Sequence, residues 1–128
     1  MRTRLRDDRG ETTEMVLAVP VLMLLVFLVI QFALWYHAEN VAEAAAQEGV
    51  RAARALDGSA AAGQGRAEAF IASSAPTLIV DVSVHGERSD ETARVEVNGT
   101  LKSIIPALRL AIHAEAESPT ERFREAGR

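Results

Sequence analysis

From Met15 to Tyr36 the chain reads MVLAVPVLMLLVFLVIQFALWY. No charged residue interrupts this run, and Gln31 is its only polar side chain ahead of the closing Trp-Tyr pair. As an α-helix it would be about 33 Å long, against a bilayer hydrocarbon core of roughly 30 Å. Leu, Ile, Val and Phe favour insertion by about 0.3–0.6 kcal/mol each, and Pro20 and Gln31 do not cancel that sum. The pattern predicts a transmembrane helix over residues 15–36. Pro20 should remove one backbone hydrogen bond and bend it, which membrane helices tolerate because neighbouring groups satisfy the freed carbonyl.

The period of 3.6 continues beyond the apolar run. In HAENVAEAAAQEGVRAARAL (residues 37–56), small residues recur at three and four (Ala42, Ala45, Ala46, Gly49, Ala52, Ala53, then Leu56) and share one face. The charges Glu39, Glu43, Glu48, Arg51 and Arg54 lie mainly elsewhere, and Glu48 and Arg51 are spaced to pair at i, i+3. One helix from about Thr13 to Leu56 is expected, half in lipid and half standing out of it. The spacing Ala45-xxx-Gly49-xxx-Ala53 lets another element approach closely, and its own domain is the expected partner rather than a second copy of the helix. Gly10 should break the helix on its N-terminal side. Asp8 and Glu11 have capping-box spacing, and Thr12 or Thr13 could equally start the helix.

Asp57 to Gly65 (DGSAAAGQG) reads as a loop by composition, and Arg66 to Ala75 as a short helix with Phe70 and Ile71 facing inward. After Pro76 the period becomes two. Leu78, Val80, Val82 and Val84 alternate with polar residues, as do Val95, Val97 and Leu101, and then Leu110, Ile112, Ala114 and Ala116. Three half-buried strands of an antiparallel sheet follow from this. GERSDE (residues 86–91) is the first turn, and the segment around Pro106 connects the second and third strands. Asn98-Gly99 is a strong hairpin signal and offers a rival turn position. The polar tail after Ser118 should fray, apart from Phe123. The fold class expected is α+β, a long N-terminal helix packed on about three antiparallel strands. Its parts are a basic lead (1–14), the membrane helix (15–36), its outer continuation (37–56) and a small α+β domain (57–128).

Charge adds orientation. Four Arg (Arg2, Arg4, Arg6, Arg9) against Asp7 and Asp8 give the first ten residues about +2, and the whole chain is −4. With no comparable basic cluster after Tyr36, the positive-inside rule places the N-terminus in the cytoplasm and the C-terminal domain outside. Trp35 and Tyr36 stand where an aromatic belt would mark the outer interface. So short a basic tail is a topology signal rather than a nucleic-acid arm. With no cysteine among 128 residues there is no disulfide framework, and a domain of about 70 residues near the lower size limit should lean on the long helix.

Little in the chain promises chemistry. His37, His85 and His113 are not at metal-ligand spacing, Ser73-Ser74 has no nearby His, and the glycines between 58 and 65 match no phosphate loop. No catalytic, cofactor or metal residue is expected. Gly10 and Glu14 stand out instead, because a processing protease could cut between Gly10 and Glu11, where the missing side chain admits the backbone to a tight site. Glu14 then lies at the mouth of the membrane helix, where a carboxylate needs a partner such as a neighbouring subunit's amine.

The stretch RGETTEMVLAVPVLMLLVFLVIQFALWYHAENVAEAAAQEGVRAAR, Arg9 to Arg54, resembles the TadE-like family of tight-adherence pilus assembly proteins. The shared order is Arg-Gly, a short polar stretch, Glu, an apolar run with an early Pro, an outer aromatic, and a phrase like Ala46-Gln47-Glu48-Gly49-Val50-Arg51-Ala52-Ala53. The resemblance implies a single-pass, pseudopilin-like membrane protein with the bilayer, other pilus-assembly or pilin-like subunits and a prepilin peptidase as partners. Prepilins usually carry their glutamate fifth after the cut, whereas Glu14 is fourth after Gly10. The alternative is a secreted or anchored binding module whose apolar run is a signal peptide, cut near Ala44 or Ala46.

Overall fold

The computed structural model describes residues 8–122, apart from the side chains of residues 8, 9 and 11. The basic residues before Asp8, the Asp8–Glu11 capping pair and Phe123 therefore lie outside the described residues. The elements are α1 (Asp8–Arg54), α2 (Ala60–Ser74), β1 (Ile79–Arg88), β2 (Thr92–Leu101) and β3 (Leu110–Pro119). The protein is α+β: the long N-terminal helix packs against a three-stranded antiparallel sheet in the order β1-β2-β3.

α1 has 47 residues and is about 70 Å long. It runs unbroken through Pro20 and, against expectation, through Gly10. One glycine costs a helix only about 1 kcal/mol relative to alanine, which flanking helix formers absorb. The two halves of α1 have different surroundings. Every residue from 12 to 30 is exposed, whereas from Gln31 onward a buried stripe appears: Gln31, Ala38, Val41, Ala42, Ala45, Ala46, Gly49, Val50 and Ala53. Ala52 is only half-buried, and Leu56 lies past the helix end and is 62% exposed, so neither belongs to the stripe as expected.

The C-terminus of α1 is capped from three places, since a helix end leaves carbonyls that need donors. The Arg88 guanidinium donates to the carbonyls of Ala53 and Ala55, the latter at 2.7 Å. The Glu121 amide donates to Arg54 O at 3.0 Å, and the Gly58 amide to Ala55 O at 2.9 Å. The positive charge of Arg88 also suits the negative end of the helix dipole.

α2 begins six residues earlier than the composition suggested. Ser59 is its N-cap, with Oγ accepting the Ala62 amide at 3.0 Å. The alanines after it then outweigh Gly63 and Gly65, so most of the expected loop is helix. Gly63, Ala67 and Ile71 face inward, while Phe70 is half-buried. Glu48 joins the helices, pairing with Arg51 at 2.7 Å within α1 and with Arg66 of α2 at 3.5 Å.

β2 and β3 keep the expected alternation. Ala93, Val95, Val97 and Leu101 on β2, and Ile112 and Ala114 on β3, are buried against the helices. β1 departs from it. Its register to β2 shifts between Val80 and Ser83, and Asp81 takes a positive φ of 53°. This bulge changes the face on which later residues fall. Ile79 and Val84 are consequently the buried residues, and Val80 and Val82 are exposed instead of sharing the core face with Val84. β1 also runs on to Arg88, so the first turn is confined to residues 89–91.

Asn98-Gly99 is not a turn but the middle of β2's pairing, with Asn98 opposite both Ser83 and His113. Gly99 fits there because Ile79 Cγ2 occupies the space of a side chain, 2.6 Å from where a Cβ would lie. The tail is pinned as far as Arg122 rather than frayed. The Thr120 amide donates to Glu91 O at 2.9 Å, Thr120 Oγ1 to Ser89 O at 3.0 Å, and Arg122 Nε to Asp90 O.

Candidate functional site

The bare half of α1 is the most unusual surface of the molecule. Large apolar side chains from Met15 to Ile30 stand 43–75% exposed, and among the described residues α1 is the one helix long and apolar enough to cross a membrane. Soluble domains seldom expose an apolar surface so large unless it meets a partner or lipid. Glu14 is exposed just ahead of this stretch, and Gly10 is exposed within the helix with open space around it.

The other half of α1 is a close-packed seam. Ala45 and Ala53 are fully buried. A Cβ at Gly49 would sit 2.8 Å from the Gly63 carbonyl oxygen, 3.0 Å from Val95 Cγ1 and 3.1 Å from Ala67 Cβ. Gly63 mirrors this, with its absent Cβ 2.7 Å from Ala53 Cβ and 2.8 Å from Gly49 O. The two glycines thus let α1 and α2 meet nearly backbone to backbone above the sheet, with Ala53 in the same contact.

The halves meet at Gln31, which is only 3% exposed. Its Oε1 accepts from Ser103 Oγ at 3.0 Å and from the Ile104 amide at 3.1 Å, which ties α1 to the β2–β3 connection. Its Nε2 is buried with no partner. Nearby, Trp35 stacks at an angle on Phe32, with centroids 6.0 Å apart, and points its indole N–H at Ala111 O, 3.4 Å away. Trp35 therefore rests partly on the domain, whereas Tyr36 is exposed. The sequence singled out Gln31 only as a polar interruption. A lone polar residue on an otherwise apolar face was the available signal that something polar must meet it.

The outer face of the sheet is polar. Arg94 and Glu115 bond at 2.6 Å, which raises the Arg94 pKa above its ordinary value. Asn98 donates to Glu96 Oε1 at 2.9 Å, holding the Glu96 carboxyl below the ordinary glutamate range. Because the Asn98 amide nitrogen is so used, its Oδ1 accepts from His113 Nδ1–H at 2.7 Å. These groups lie on an open, solvated face. Among the described residues no three His, Cys, Asp or Glu side chains are grouped to hold a metal ion.

Fold and surface together define a class: a small α+β domain built onto the C-terminal half of a helix whose N-terminal half is suited to lipid. The family model described as TadE-like protein matches residues 12–51, which is the family the sequence resembled. That match runs from the bare apolar stretch into the Gly49 seam. The family consists of components of tight-adherence pilus assembly and is not known for enzymes. No curated protein and no solved structure matches the chain.

Proposed function

We propose that this chain is a single-pass membrane protein, a TadE-like pseudopilin or assembly component of a tight-adherence pilus system. It acts through helix packing and protein–protein contacts rather than catalysis. Residues 15–36 cross the bilayer, the basic lead 1–14 stays in the cytoplasm, and residues 37–128 form the domain on the outer side. The observation that carries this reading is the division of a single helix at Gln31 into a bare apolar half and a half that forms the domain's core. The family match to residues 12–51 spans both halves and supports it.

Glu14 is the residue we assign to subunit pairing. A carboxylate at the edge of the hydrocarbon is costly unless an opposite charge meets it, and the amine that a prepilin peptidase would create at Glu11 of a neighbour is such a charge. Intact mass and the N-terminal peptide of the membrane-extracted chain test this. A start at Glu11 supports pseudopilin processing, and a start at Met1 or Arg2 leaves a plain anchor. A start beyond Ala44 or Ala46 would favour the secreted module and overturn the proposal. That cleavage would strip Gln31, Ala38, Val41 and Ala42 from the buried stripe.

A further inference from the structure

We propose that the β2–β3 connection, residues 102–109, is a second membrane contact that dips into the outer leaflet beside α1. This rests on the membrane reading above and adds a site to it. The loop's position follows from Gln31. Measured along α1 from Met15, Gln31 lies about 24 Å up the helix, while the hydrocarbon core is roughly 30 Å thick. Thr12, Thr13 and Glu14 fix the lower limit of the apolar run. The Gln31 level is therefore about 6 Å inside the outer boundary, and Tyr36 is at that boundary. Ser103 and the Ile104 amide bond directly to Gln31 Oε1, so the loop lies at this depth rather than above the membrane.

The loop's composition and shape suit that depth. Its sequence is KSIIPALR, an apolar centre flanked by exposed Lys102 and Arg109. Ile104 is 47% exposed although it is among the loop's largest apolar residues, and Pro106 is exposed beside it. Lys and Arg at the flanks can reach up to headgroup phosphates while the centre sits lower. The tip is held in shape: Ile105 O accepts the Leu108 amide at 3.3 Å, with Pro106 and a left-handed Ala107 (φ 64°) between them. A left-handed alanine is strained, and such strain persists where the surroundings fix a particular shape. Amphipathic helices that lie in the interface bury their apolar side about 5–10 Å deep, and the level set by Gln31 falls in that range.

The chain has no cysteine, so single-cysteine variants of the full protein report cleanly. Ile104→Cys, Phe27→Cys and Asp90→Cys are each labelled with an environment-sensitive dye and reconstituted into phosphatidylethanolamine–phosphatidylglycerol vesicles with brominated acyl chains. Asp90 is exposed in the turn at the other end of the sheet and controls for the dye's own affinity for lipid. The expected result is loss of emission at positions 27 and 104 and none at 90. Quenching at 27 without quenching at 104 overturns the loop contact while leaving the membrane helix intact, and points to a protein partner for Ile104. Absence of quenching at 27 overturns the membrane reading and the loop contact together. Equal quenching at 90 and 104 overturns the loop contact, because the dye alone then accounts for it.

Discussion

The seam between α1 and α2 yields a sharp contrast between two glycines that composition treats alike. At Gly49, an alanine methyl would lie 2.8 Å from a backbone oxygen and 3.0–3.1 Å from two carbons, where ordinary carbon contacts are about 3.5–4.0 Å. The Gly63 oxygen belongs to the α2 backbone and cannot rotate away, so the two helices must separate. Overpacking of this kind costs about 1–3 kcal/mol. Alanine's better helix propensity returns about 0.8–1 kcal/mol, and Gly49→Ala should therefore lose up to about 2 kcal/mol. At Gly65, two residues along α2 from Gly63, nothing lies within 4 Å of the added methyl. Gly65→Ala should gain about 0.5–1 kcal/mol. Each kcal/mol shifts Tm by about 4–8 °C in a domain of 60–100 residues, so the two variants should differ by about 2 °C or more. Trp35, the chain's only tryptophan, packs against the core and can report unfolding of the full chain in detergent micelles. If Gly49→Ala melts at or above Gly65→Ala, the close approach of α1 and α2 is wrong.

Further predictions follow from the same contacts. Arg88→Met keeps the aliphatic stem but leaves the Ala53 carbonyl without its donor and the Ala55 carbonyl with the Gly58 amide alone; for a half-buried charged donor the loss should be about 1–2 kcal/mol, read as a lower Tm in the same melt. Gln31→Leu removes the shared acceptor of Ser103 and Ile104, so hydrogen exchange at the Ile104 amide should speed up while that of β2 is unchanged. Glu96 has a lowered pKa because Asn98 donates to its ionised form. Its contribution to stability is therefore complete above the ordinary glutamate value of about 4.3 and is lost as pH falls through the depressed pKa. A carboxyl-shift NMR titration should place Glu96 below that value and Asn98→Ala should bring it back up, whereas a wild-type midpoint at or above it would contradict the Asn98 bond.

What the sequence disclosed depended on how far each element's signal is local. The bare half of α1 is a lipid-suited run with no competing pattern, and β2 and β3 alternate cleanly because nothing interrupts their pleat. The start of α2 was hidden because Gly63 and Gly65 look like loop residues. Gly63 is there for the contact with Gly49, a reason that exists only once the helices are packed. The β1 bulge at Asp81 changed the buried face without altering the alternation that the residues display. Asn98-Gly99 mimicked a turn because the space taken by Ile79 calls for a glycine in a strand. Of the candidate site, Gly10, Glu14 and the Ala45-Gly49-Ala53 spacing were visible as residues. The bond from the Ser103–Ile104 loop to Gln31 was not, since it joins positions more than 70 residues apart.

The proposed topology has α1 crossing a membrane with the sheet on the far side. The most direct measurement uses spheroplasts expressing the full chain with a single cysteine at Thr3 or Asp90, exposed to a membrane-impermeant maleimide before and after permeabilisation. With this topology the chain stays with the membranes after alkaline carbonate washing. Asp90→Cys should be labelled in intact spheroplasts, and Thr3→Cys, where the N-terminus is uncleaved, only after permeabilisation. Recovery of the chain in the soluble fraction, or labelling of Thr3→Cys from outside, would contradict it.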